Sequence, residues 1–441
     1  MPHRRHLKRV VRQAGSLSVW RTRIAFWIGA ALVGLAASAL ALASSWADAR
    51  FHLWVKALPG LPLILTPLGL VAITWATRRL FPGGEGSGIP QAIAALQLAE
   101  HANRRAVLSL RIAVGKGIAI VLGLLCGASI GREGPTVHIA ASIMYSLRGL
   151  ANFPIHHVRK GLILAGGAAG LAAAFNTPLA GVMFAIEEMA RTYEDRITGS
   201  LMIAVILAGM TALTIQGNYT YFGSYGVAME PLQALGAVLA CGVVGGLLGG
   251  LFSTLLIRGG RRLKPFRNSH PYLVAGACGL AVALIGLAAG GATWGSGYEA
   301  ARGVLQGTTE AAPLYAPMKL LATLFSYLSG IPGGIFAPSL SVGAGIGYSL
   351  SALFPTTPMV AIGLLGMVGY FTGVVQTPVT AVIIVMEMTD DQRLLLPLMA
   401  TALMAEAASR MVCHQPIYRA LAQDFLVGNA SRRGNSGRPS G

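Results

Sequence analysis

One carboxylate stands inside a glycine-bounded segment, Gly131–Pro135 (Gly-Arg-Glu-Gly-Pro), called here the Glu133 segment. Pro135 suits the first turn of a helix, and the flanking glycines let the backbone approach a ligand closely. Backbone N–H groups and the helix dipole at such a start favour an anion. Glu133 is itself a tethered anion, so it could occupy that site and leave it on protonation. The alternative is a structural carboxylate that stabilises its own helix.

Two further segments have the same character: the Ser87 segment, Gly86–Pro90 (Gly-Ser-Gly-Ile-Pro), and the Phe336 segment, Gly333–Pro338 (Gly-Gly-Ile-Phe-Ala-Pro). Each offers backbone N–H groups at an apparent helix start, and Ser87 adds a hydroxyl donor. Three such starts could converge on one desolvated anion, which partial charges would bind without trapping, as conduction requires. The alternative is three ordinary turns between membrane spans, because a single Gly-Pro turn is a weak signal.

Five of the sixteen acidic residues lie within or beside apolar segments: Glu133, Glu187, Glu188, Glu387 and Glu406. An ionisable residue inside a membrane is costly and is a functional candidate by default. Glu187 aligns with Glu387 in an internal repeat, which predicts a structural cap or an ion-pair partner for both. Glu188 is matched there by Met388, which favours a separate proton-handling role for Glu188. A solvated acid at the membrane boundary is the alternative for Glu188.

Other charged residues are assigned supporting roles. Lys116 lies between two apolar runs ahead of the Glu133 segment. Either it adds positive potential, or its ammonium group reaches the membrane surface. Glu406 has Arg410 four residues further on, which predicts an ion pair on one helix face. His156 and His157 have no acid or cysteine within a turn, so we expect neither a metal site nor another cofactor.

The elements that carry these residues must be membrane helices, because the composition excludes a soluble protein. Of 441 residues, 54% are hydrophobic and 11% are charged, whereas about 25% are charged in soluble domains. The mean hydropathy is +0.62. Glycine and proline interrupt many apolar stretches, a pattern of broken helices that is typical of transporters and channels. We predict an all-α polytopic membrane protein with many tilted or broken helices.

An internal repeat divides the chain. Phe175–Met189 resembles Val375–Thr389 at an offset of 200 residues, and at the same offset Gly134 falls on Gly334. The Ser87 segment has a similar counterpart in Gly295–Tyr298, at an offset of 209 residues. We predict two homologous halves of inverted topology, with the functional site between them near the membrane midplane.

Four regions follow from the repeat and from the charge. They are a basic cytoplasmic segment, 1–22; a first repeat half, 23–218; a second repeat half, 230–418; and a short cytoplasmic tail, 419–441, part of it disordered. The net charge is +18, and basic residues concentrate in 1–23, 258–267 and 432–438. Short basic segments stay on the cytoplasmic side, which predicts cytoplasmic termini and argues against nucleic-acid binding.

The three glycine segments, in this order, are similar to the signature segments of the CLC family of chloride channels and transporters. Gln415–Tyr418 resembles the closing segment of that family, and the resemblance covers nearly the whole chain. It implies an inverted-repeat fold and a homodimer in which each subunit has its own pore. Since no pair of CBS domains follows, the resemblance implies a prokaryotic type.

The resemblance also implies a role for each matched residue. Glu133 would be the gating glutamate, and Glu188 would be the internal proton glutamate. Ser87 and Tyr418 would hold the central anion, and a serine at this position argues for chloride over nitrate. The outer anion site would be lined by the backbone amides around Arg132, Gly134, Ile335, Phe336 and Ala337.

We therefore predict chloride/proton antiport, in which Glu133 gates and Glu188 supplies protons from the cytoplasmic side. Glu187 and Lys116 are predicted to support this site. A passive chloride channel on the same fold, voltage-gated or not, is the alternative, because an acid at position 188 does not guarantee coupling.

Two other classes are disfavoured by the sequence. An intramembrane protease would need paired aspartates or a placed serine and histidine, and a cation transporter would need acids or carbonyl-rich helix ends at the midplane. We expect no enzyme activity. The expected partners are chloride, protons, the lipid bilayer and a second copy of the chain. The expected location is a prokaryotic inner membrane.

Overall fold

The structure is a computed structural model that describes residues 17–98, 101–151, 153, 160–191, 195–217, 219–229, 231–308 and 314–436. Throughout these residues the regular secondary structure is helical, with two isolated strand-like bridges, Gly86–Pro332 and Gly131–Gly334. Most of the predicted basic N-terminal segment, together with His156 and His157, lies outside the described residues.

The first half is built of helices α1 to α9. Their bounds are α1 (Leu17–Ala57), α2 (Pro62–Leu80), α3 (Ile89–Gln97), α4 (His101–Val107), α5 (Leu110–Leu125), α6 (Glu133–Ser146), α7 (Leu162–Phe175), α8 (Pro178–Phe184) and α9 (Asp195–Gln216). A 3₁₀ turn, Leu147–Gly149, follows α6, and a π-helix, Ala185–Ala190, continues α8.

The second half repeats this order. Its helices are α10 (Pro231–Ser269), α11 (Pro271–Ala288), α12 (Tyr298–Leu305), α13 (Tyr315–Leu328), α14 (Phe336–Ser351), α15 (Met359–Val375), α16 (Pro378–Thr389) and α17 (Leu395–Val412). A last helix, α18 (Ile417–Ser436), carries Tyr418 in its first turn and contains most of the predicted tail. The short helix α4 has no counterpart among the described residues of the second half.

Length and composition make seven of these helical stretches long and apolar enough to cross a membrane. Helices α1 and α10, with 41 and 39 residues, exceed the roughly 20 residues that a perpendicular span needs. Helices α7 and α15 are shorter and almost wholly buried. By contrast, α1 exposes apolar side chains such as Ile28 and Leu35, as a lipid-facing helix must. The predicted fold class, an all-α polytopic membrane protein, is confirmed.

The two halves pack alike. Helix α1 contacts α7 and α9, and its counterpart α10 contacts α15 and α17. Proline stands at the start of α8 and of α16, where its fixed φ suits a first helical turn. The helices before them, α7 and α15, both end at left-handed residues, Asn176 (φ 57°) and Gln376 (φ 58°).

At the Glu133 segment the offset between the halves is 203 residues rather than 200. Helix α6 begins at Glu133 and α14 at Phe336, and Gly131 and Gly334 exchange two backbone hydrogen bonds of 2.8 Å. The prediction that Gly134 matches Gly334 is therefore wrong, because Gly131 is the counterpart of Gly334. The reason is chain length, since the stretch from α6 to α8 is three residues longer than that from α14 to α16.

Each half caps a helix of the other. The Glu187 carboxylate accepts the backbone N–H groups of Val379 (3.2 Å) and Thr380 (2.6 Å) at the start of α16. The Glu387 carboxylate accepts those of Leu179 (3.0 Å) and Ala180 (2.7 Å) at the start of α8. Of the two roles considered for these acids, the structure therefore shows the structural cap. The exchange follows a two-fold relation between the halves.

We expect Glu187→Ala and Glu387→Ala each to lower the free energy of unfolding by about 1 kcal/mol, the usual effect of losing a helix cap. The measurement is thermal unfolding of the purified protein in detergent. Glu406→Ala is the control, because the Arg410–Glu406 ion pair (2.5 Å) lies within one helix turn at a partly exposed site. That pair should contribute only about 0.3–0.5 kcal/mol. Equal melting temperatures for all three variants would contradict reciprocal capping.

Candidate functional site

The three glycine segments meet at one place, as predicted. Gly86 accepts the N–H of Gly333 and donates to Ile331, both at 3.3 Å, so the Ser87 and Phe336 segments are joined. The Gly131–Gly334 pair joins the Glu133 segment to the same place. Helices α3, α6 and α14 therefore begin beside one another, with unpaired first-turn N–H groups that favour a negative charge.

Two positions where the three segments meet, 88 and 134, require glycine. Gly88 precedes α3 with a φ of 102°, in the left-handed region that favours glycine. At position 134 a Cβ would overlap the Ser87 hydroxyl. Bringing Ser87 against the first turn of α6 thus depends on a residue without a side chain.

Glu133 is fully buried at the first position of α6. The backbone N–H groups of Arg132 and Ala337 face its carboxylate, yet in the described chain neither oxygen attains hydrogen-bond geometry. A Cβ at Gly131 would contact Glu133 Oε2, so the carboxylate lies directly over the Gly131–Gly334 bridge. Buried polar atoms usually have a hydrogen-bond partner. The Glu133 carboxylate is an exception, because both of its oxygens could still accept hydrogen bonds.

Arg132 contributes its backbone N–H to this helix start, and its guanidinium is an electrostatic neighbour of Glu133. Its guanidinium donates to the Ala41 carbonyl (2.7 Å) and to Ser45 Oγ (3.3 Å), both on α1. The Arg132 side chain is therefore bound to a neighbouring helix.

Ser87 and Tyr418 bring two hydroxyl groups together. Both residues are fully buried, and the Tyr418 hydroxyl lies next to the Ser87 hydroxyl. Among the described residues neither hydroxyl has a partner in good hydrogen-bond geometry. The Tyr418 ring stacks on Phe336, with ring centroids 6.4 Å apart and an interplanar angle of 17°. Two adjacent hydroxyls without an acceptor suit an anion that would accept from both.

The start of α14 is fixed by aromatic packing. Phe336, its first residue, contacts the rings of Phe175 (5.9 Å between centroids), Phe184 (6.1 Å) and Phe371 (4.5 Å). Ile335 is the N-cap residue and is buried, as is Ala337. The predicted amide-bearing residues of this segment are therefore held rigidly beside Glu133 and Tyr418.

Lys116 does not reach the membrane surface, so that alternative is wrong. It is fully buried, and its Nζ donates to the Gly86 carbonyl (3.2 Å) in the Ser87 segment. Its counterpart Lys319, which the sequence interpretation missed, is also fully buried and donates to Gly295 (2.8 Å) and Thr293 (2.9 Å). Each lysine thus holds the glycine turn of its own half in place.

Glu188 lies in the π-helix that follows α8 and is 1% exposed. Within the described residues its two oxygens have no hydrogen-bond partner. Its charged neighbours are Arg191, Arg419 and Glu187. A solvated boundary acid does not fit this burial. Tyr418 is an electrostatic neighbour of both Glu188 and Glu133, which places its hydroxyl within the field of both carboxylates.

A cavity of about 260 Å³ adjoins the Ser87 segment. Three basic side chains of α10, namely Arg261, Lys264 and Arg267, line it together with the acids Glu85 and Asp424. The sequence interpretation used these basic residues only to orient the chain. Their excess over the acids makes the cavity attractive to anions.

Among the residues that the structure describes, no three His, Cys, Asp or Glu side chains come together as metal ligands would. His138 is fully buried, and its Nε2 lies 2.9 Å from the Val107 carbonyl.

Sequence comparison finds relatives over most of the chain. A profile of the family described as voltage gated chloride channel matches residues 68–410. The H(+)/Cl(-) exchange transporter ClcA of Salmonella arizonae is 29% identical over 412 residues, which cover 88% of this chain and 85% of the relative. The ClcA of Salmonella typhimurium matches with the same identity and the same coverage.

Structure comparison finds the same fold in two solved proteins. A slow cyanobacterial Cl−/H+ antiporter aligns with a TM-score of 0.79 and 24% identity, covering 92% of this chain and 98% of the other. A CLC-type fluoride/proton antiporter aligns with a TM-score of 0.78 and 21% identity, covering 91% and 98%. At these identities the likeness concerns the fold.

Proposed function

Because this chain belongs to the voltage gated chloride channel (CLC) family, we propose that it exchanges chloride for protons across a membrane. The observation that carries the proposal is a pair of buried carboxylates without hydrogen-bond partners among the described residues, Glu133 and Glu188, with Tyr418 an electrostatic neighbour of both. The relatives named as H(+)/Cl(-) exchange transporters support it.

Chloride would bind where the hydroxyls of Ser87 and Tyr418 lie side by side. A second, outer position would lie at the backbone N–H groups that now face the Glu133 carboxylate. These donors carry partial charges only, so an anion would be bound without being trapped. The basic cavity beside the Ser87 segment would raise the local chloride concentration at the cytoplasmic mouth.

Glu133 would compete with chloride for the outer position. As a carboxylate it would occupy the N–H groups of α6 and α14. On protonation it would lose its charge, leave the helix starts, and let chloride take its place. Each departure would carry one proton, which couples the two fluxes.

Glu188 would supply protons from the cytoplasmic side. Among the described residues its carboxylate is buried and forms no hydrogen bond to Arg191 or Arg419. It could therefore hold or release a proton without breaking a hydrogen bond. Burying an acid in the membrane is costly, which favours a functional role for Glu188.

The surrounding assembly belongs to the same proposal. The basic segments at 1–23 and 258–267 would lie on the cytoplasmic side, because short basic segments are retained there. The chain would reside in a bacterial inner membrane with both termini cytoplasmic. Two copies would form a homodimer, each with its own pathway.

The test is a flux measurement in liposomes. Purified protein is reconstituted, an outward chloride gradient is imposed, the voltage is held with a potassium ionophore, and the external pH is followed. We expect chloride efflux to drive protons into the liposomes against their gradient. Chloride flux without proton flux would establish a passive channel instead, and the absence of both fluxes would contradict either function. Protein-free liposomes provide the leak rate.

A further inference from the structure

A second buried tyrosine, Tyr221, is an electrostatic neighbour of Glu133, as Tyr418 is. It lies in the linker that joins the two halves between α9 and α10, of which residues 217 and 219–229 are described. Its side chain is 4% exposed although the linker has no regular secondary structure. The burial of a loop tyrosine against the gate is not explained by the roles assigned so far.

Aromatic contacts connect the two tyrosines through the start of α14. The Tyr221 ring contacts Phe175, with centroids 5.3 Å apart. Phe175 contacts Phe336 at 5.9 Å, and Phe336 stacks on Tyr418 at 6.4 Å. Both phenols are therefore held by the same aromatic cluster that fixes the first residue of α14.

The segment that carries Tyr221 corresponds to the one that carries Tyr418. The side-chain amide of Asn176, the left-handed residue that ends α7, donates to the Tyr219 carbonyl (3.0 Å) after α9. The amide of Gln376, the left-handed residue that ends α15, donates to the Cys413 carbonyl (2.6 Å) after α17. In both halves the segment held in this way leads directly to the tyrosine.

A second pair of contacts supports the same correspondence. Phe222, the residue after Tyr221, donates its backbone N–H to the Met388 carbonyl (2.9 Å) near the end of α16. Tyr418 is an electrostatic neighbour of Glu188, in the π-helix that continues α8. Because α8 and α16 are counterparts, Tyr221 holds the place in the first half that Tyr418 holds in the second.

The two tyrosines lie toward opposite ends of the pathway. Tyr221 precedes the start of α10, whereas the basic cavity is lined by the far end of that helix, for example by Arg261. At a rise of about 1.5 Å per residue, Arg261 is about 45 Å from the start of α10. Tyr418 begins α18, which lines the cavity with Asp424. Glu133 thus has Tyr418 toward the cavity and Tyr221 toward the outer side.

We propose that the Tyr221 hydroxyl is the outer counterpart of the Tyr418 hydroxyl and donates a hydrogen bond to chloride as the ion passes between the outer position and the solution. This inference rests on the proposed chloride pathway, and it adds a residue at the end where the Ser87 and Tyr418 hydroxyls do not reach. Its ring packing holds the phenol in place, so little ordering is needed when the anion arrives.

The Tyr221 hydroxyl is free to donate to an anion. Its charged neighbours are the Arg132 guanidinium and the Glu133 carboxylate. A guanidinium only donates hydrogen bonds, so Arg132 leaves the phenol proton available and adds a positive charge that favours an anion. Tyr219 also neighbours Glu133, but its hydroxyl already donates to Gln216 Oε1 (3.3 Å).

The test is chloride binding, measured by titration calorimetry on purified protein in which Glu133→Ala has removed the competing carboxylate. Tyr221→Phe is added to this parent, because it keeps the ring contacts and removes only the hydroxyl. Tyr225→Phe is the matched control from the same linker, since the Tyr225 hydroxyl already donates to the Phe222 carbonyl (2.6 Å). We expect Tyr221→Phe to weaken chloride binding by about three- to tenfold, the usual effect of losing one hydrogen bond. Tyr225→Phe should leave the affinity unchanged, and Tyr221→Phe should melt at the temperature of the parent.

Each other outcome has a definite meaning. Equal chloride affinity in Tyr221→Phe and the parent overturns the inference and leaves the proposed function standing. An equal loss of affinity in both tyrosine variants also overturns it, because the effect would then come from the linker as a whole. If the Glu133→Ala parent itself binds no chloride, the proposed chloride pathway fails and the inference fails with it. In otherwise unaltered protein in liposomes, Tyr221→Phe should keep the ratio of protons to chloride, and a changed ratio would contradict a role confined to chloride.

Discussion

Replacing Glu133 by alanine is expected to abolish proton transport while chloride still crosses the membrane. The reason is that the proposed site has two competing anionic occupants, the tethered carboxylate and chloride, and only the carboxylate would carry a proton. Its surroundings are backbone N–H groups of α6 and α14, which remain in the variant. Chloride can therefore still bind after the competitor has been removed.

The measurement is paired chloride and proton flux from liposomes at several pH values. Proton flux of Glu133→Ala should fall to the leak rate of protein-free liposomes. Its chloride flux should also lose dependence on pH, because no carboxylate needs to be protonated before chloride enters. Glu133→Gln should behave in the same way, since an amide resembles the protonated acid in shape and charge.

Glu406→Gln is the control for Glu133, because Glu406 pairs with Arg410 within a single helix, α17. It should keep both fluxes. Continued proton pumping by Glu133→Ala would contradict the gating role. The structural alternative, a carboxylate that only stabilises its helix, predicts instead a loss of folded protein with unchanged coupling in the fraction that folds.

Replacing Glu188 by glutamine is the second large effect that we expect. Proton flux should fall to the leak rate, and chloride flux should persist, because neither Glu188 oxygen is hydrogen-bonded, within the described residues, to a group that would bind chloride. The hydroxyls of Ser87 and Tyr418 and the amides of α14 are unchanged in this variant. Such a result would separate the proton pathway from the chloride pathway on the inner side.

Glu387→Gln is the control for Glu188. Glu387 is the cap that corresponds to Glu187 in the other half, so its loss should cost stability without affecting coupling. If Glu188→Gln retained the proton flux of the wild type, Glu188 would have no part in proton transfer. If chloride flux vanished together with proton flux, the two pathways would not be separable at this residue.

The class of the protein follows from the sequence, and so does the choice of candidate site residues. A composition with 11% charged residues leaves too little polar surface for a soluble protein, so lipid must cover the exterior. Glycines before a helix start expose backbone N–H groups, and an acid placed among them competes with any bound anion. These are local properties of a segment, and they do not depend on where the rest of the chain lies.

Burial and register depended on the tertiary structure. Lys116 was open to two interpretations, because a long cationic side chain between apolar runs can reach water or stay inside. Its contact with Gly86, on a segment distant in sequence, determined the outcome. The caps of Glu187 and Glu387 were open for the same reason, since each acid bonds to the other half of the chain.

A constant sequence offset between the two repeat halves fails wherever one half has gained residues. Gly134 was set against Gly334, because an ungapped alignment carries one offset along the whole repeat. The structure shows three residues added between α6 and α8, and one residue more between Glu187 and Arg191 than between Glu387 and Asp390. The sequence by itself determined which residues can bind an anion or hold a proton, because that is a matter of side-chain chemistry and local backbone. Only the tertiary structure decided which of them meet and which face each one presents, because packing between distant segments fixes register and burial.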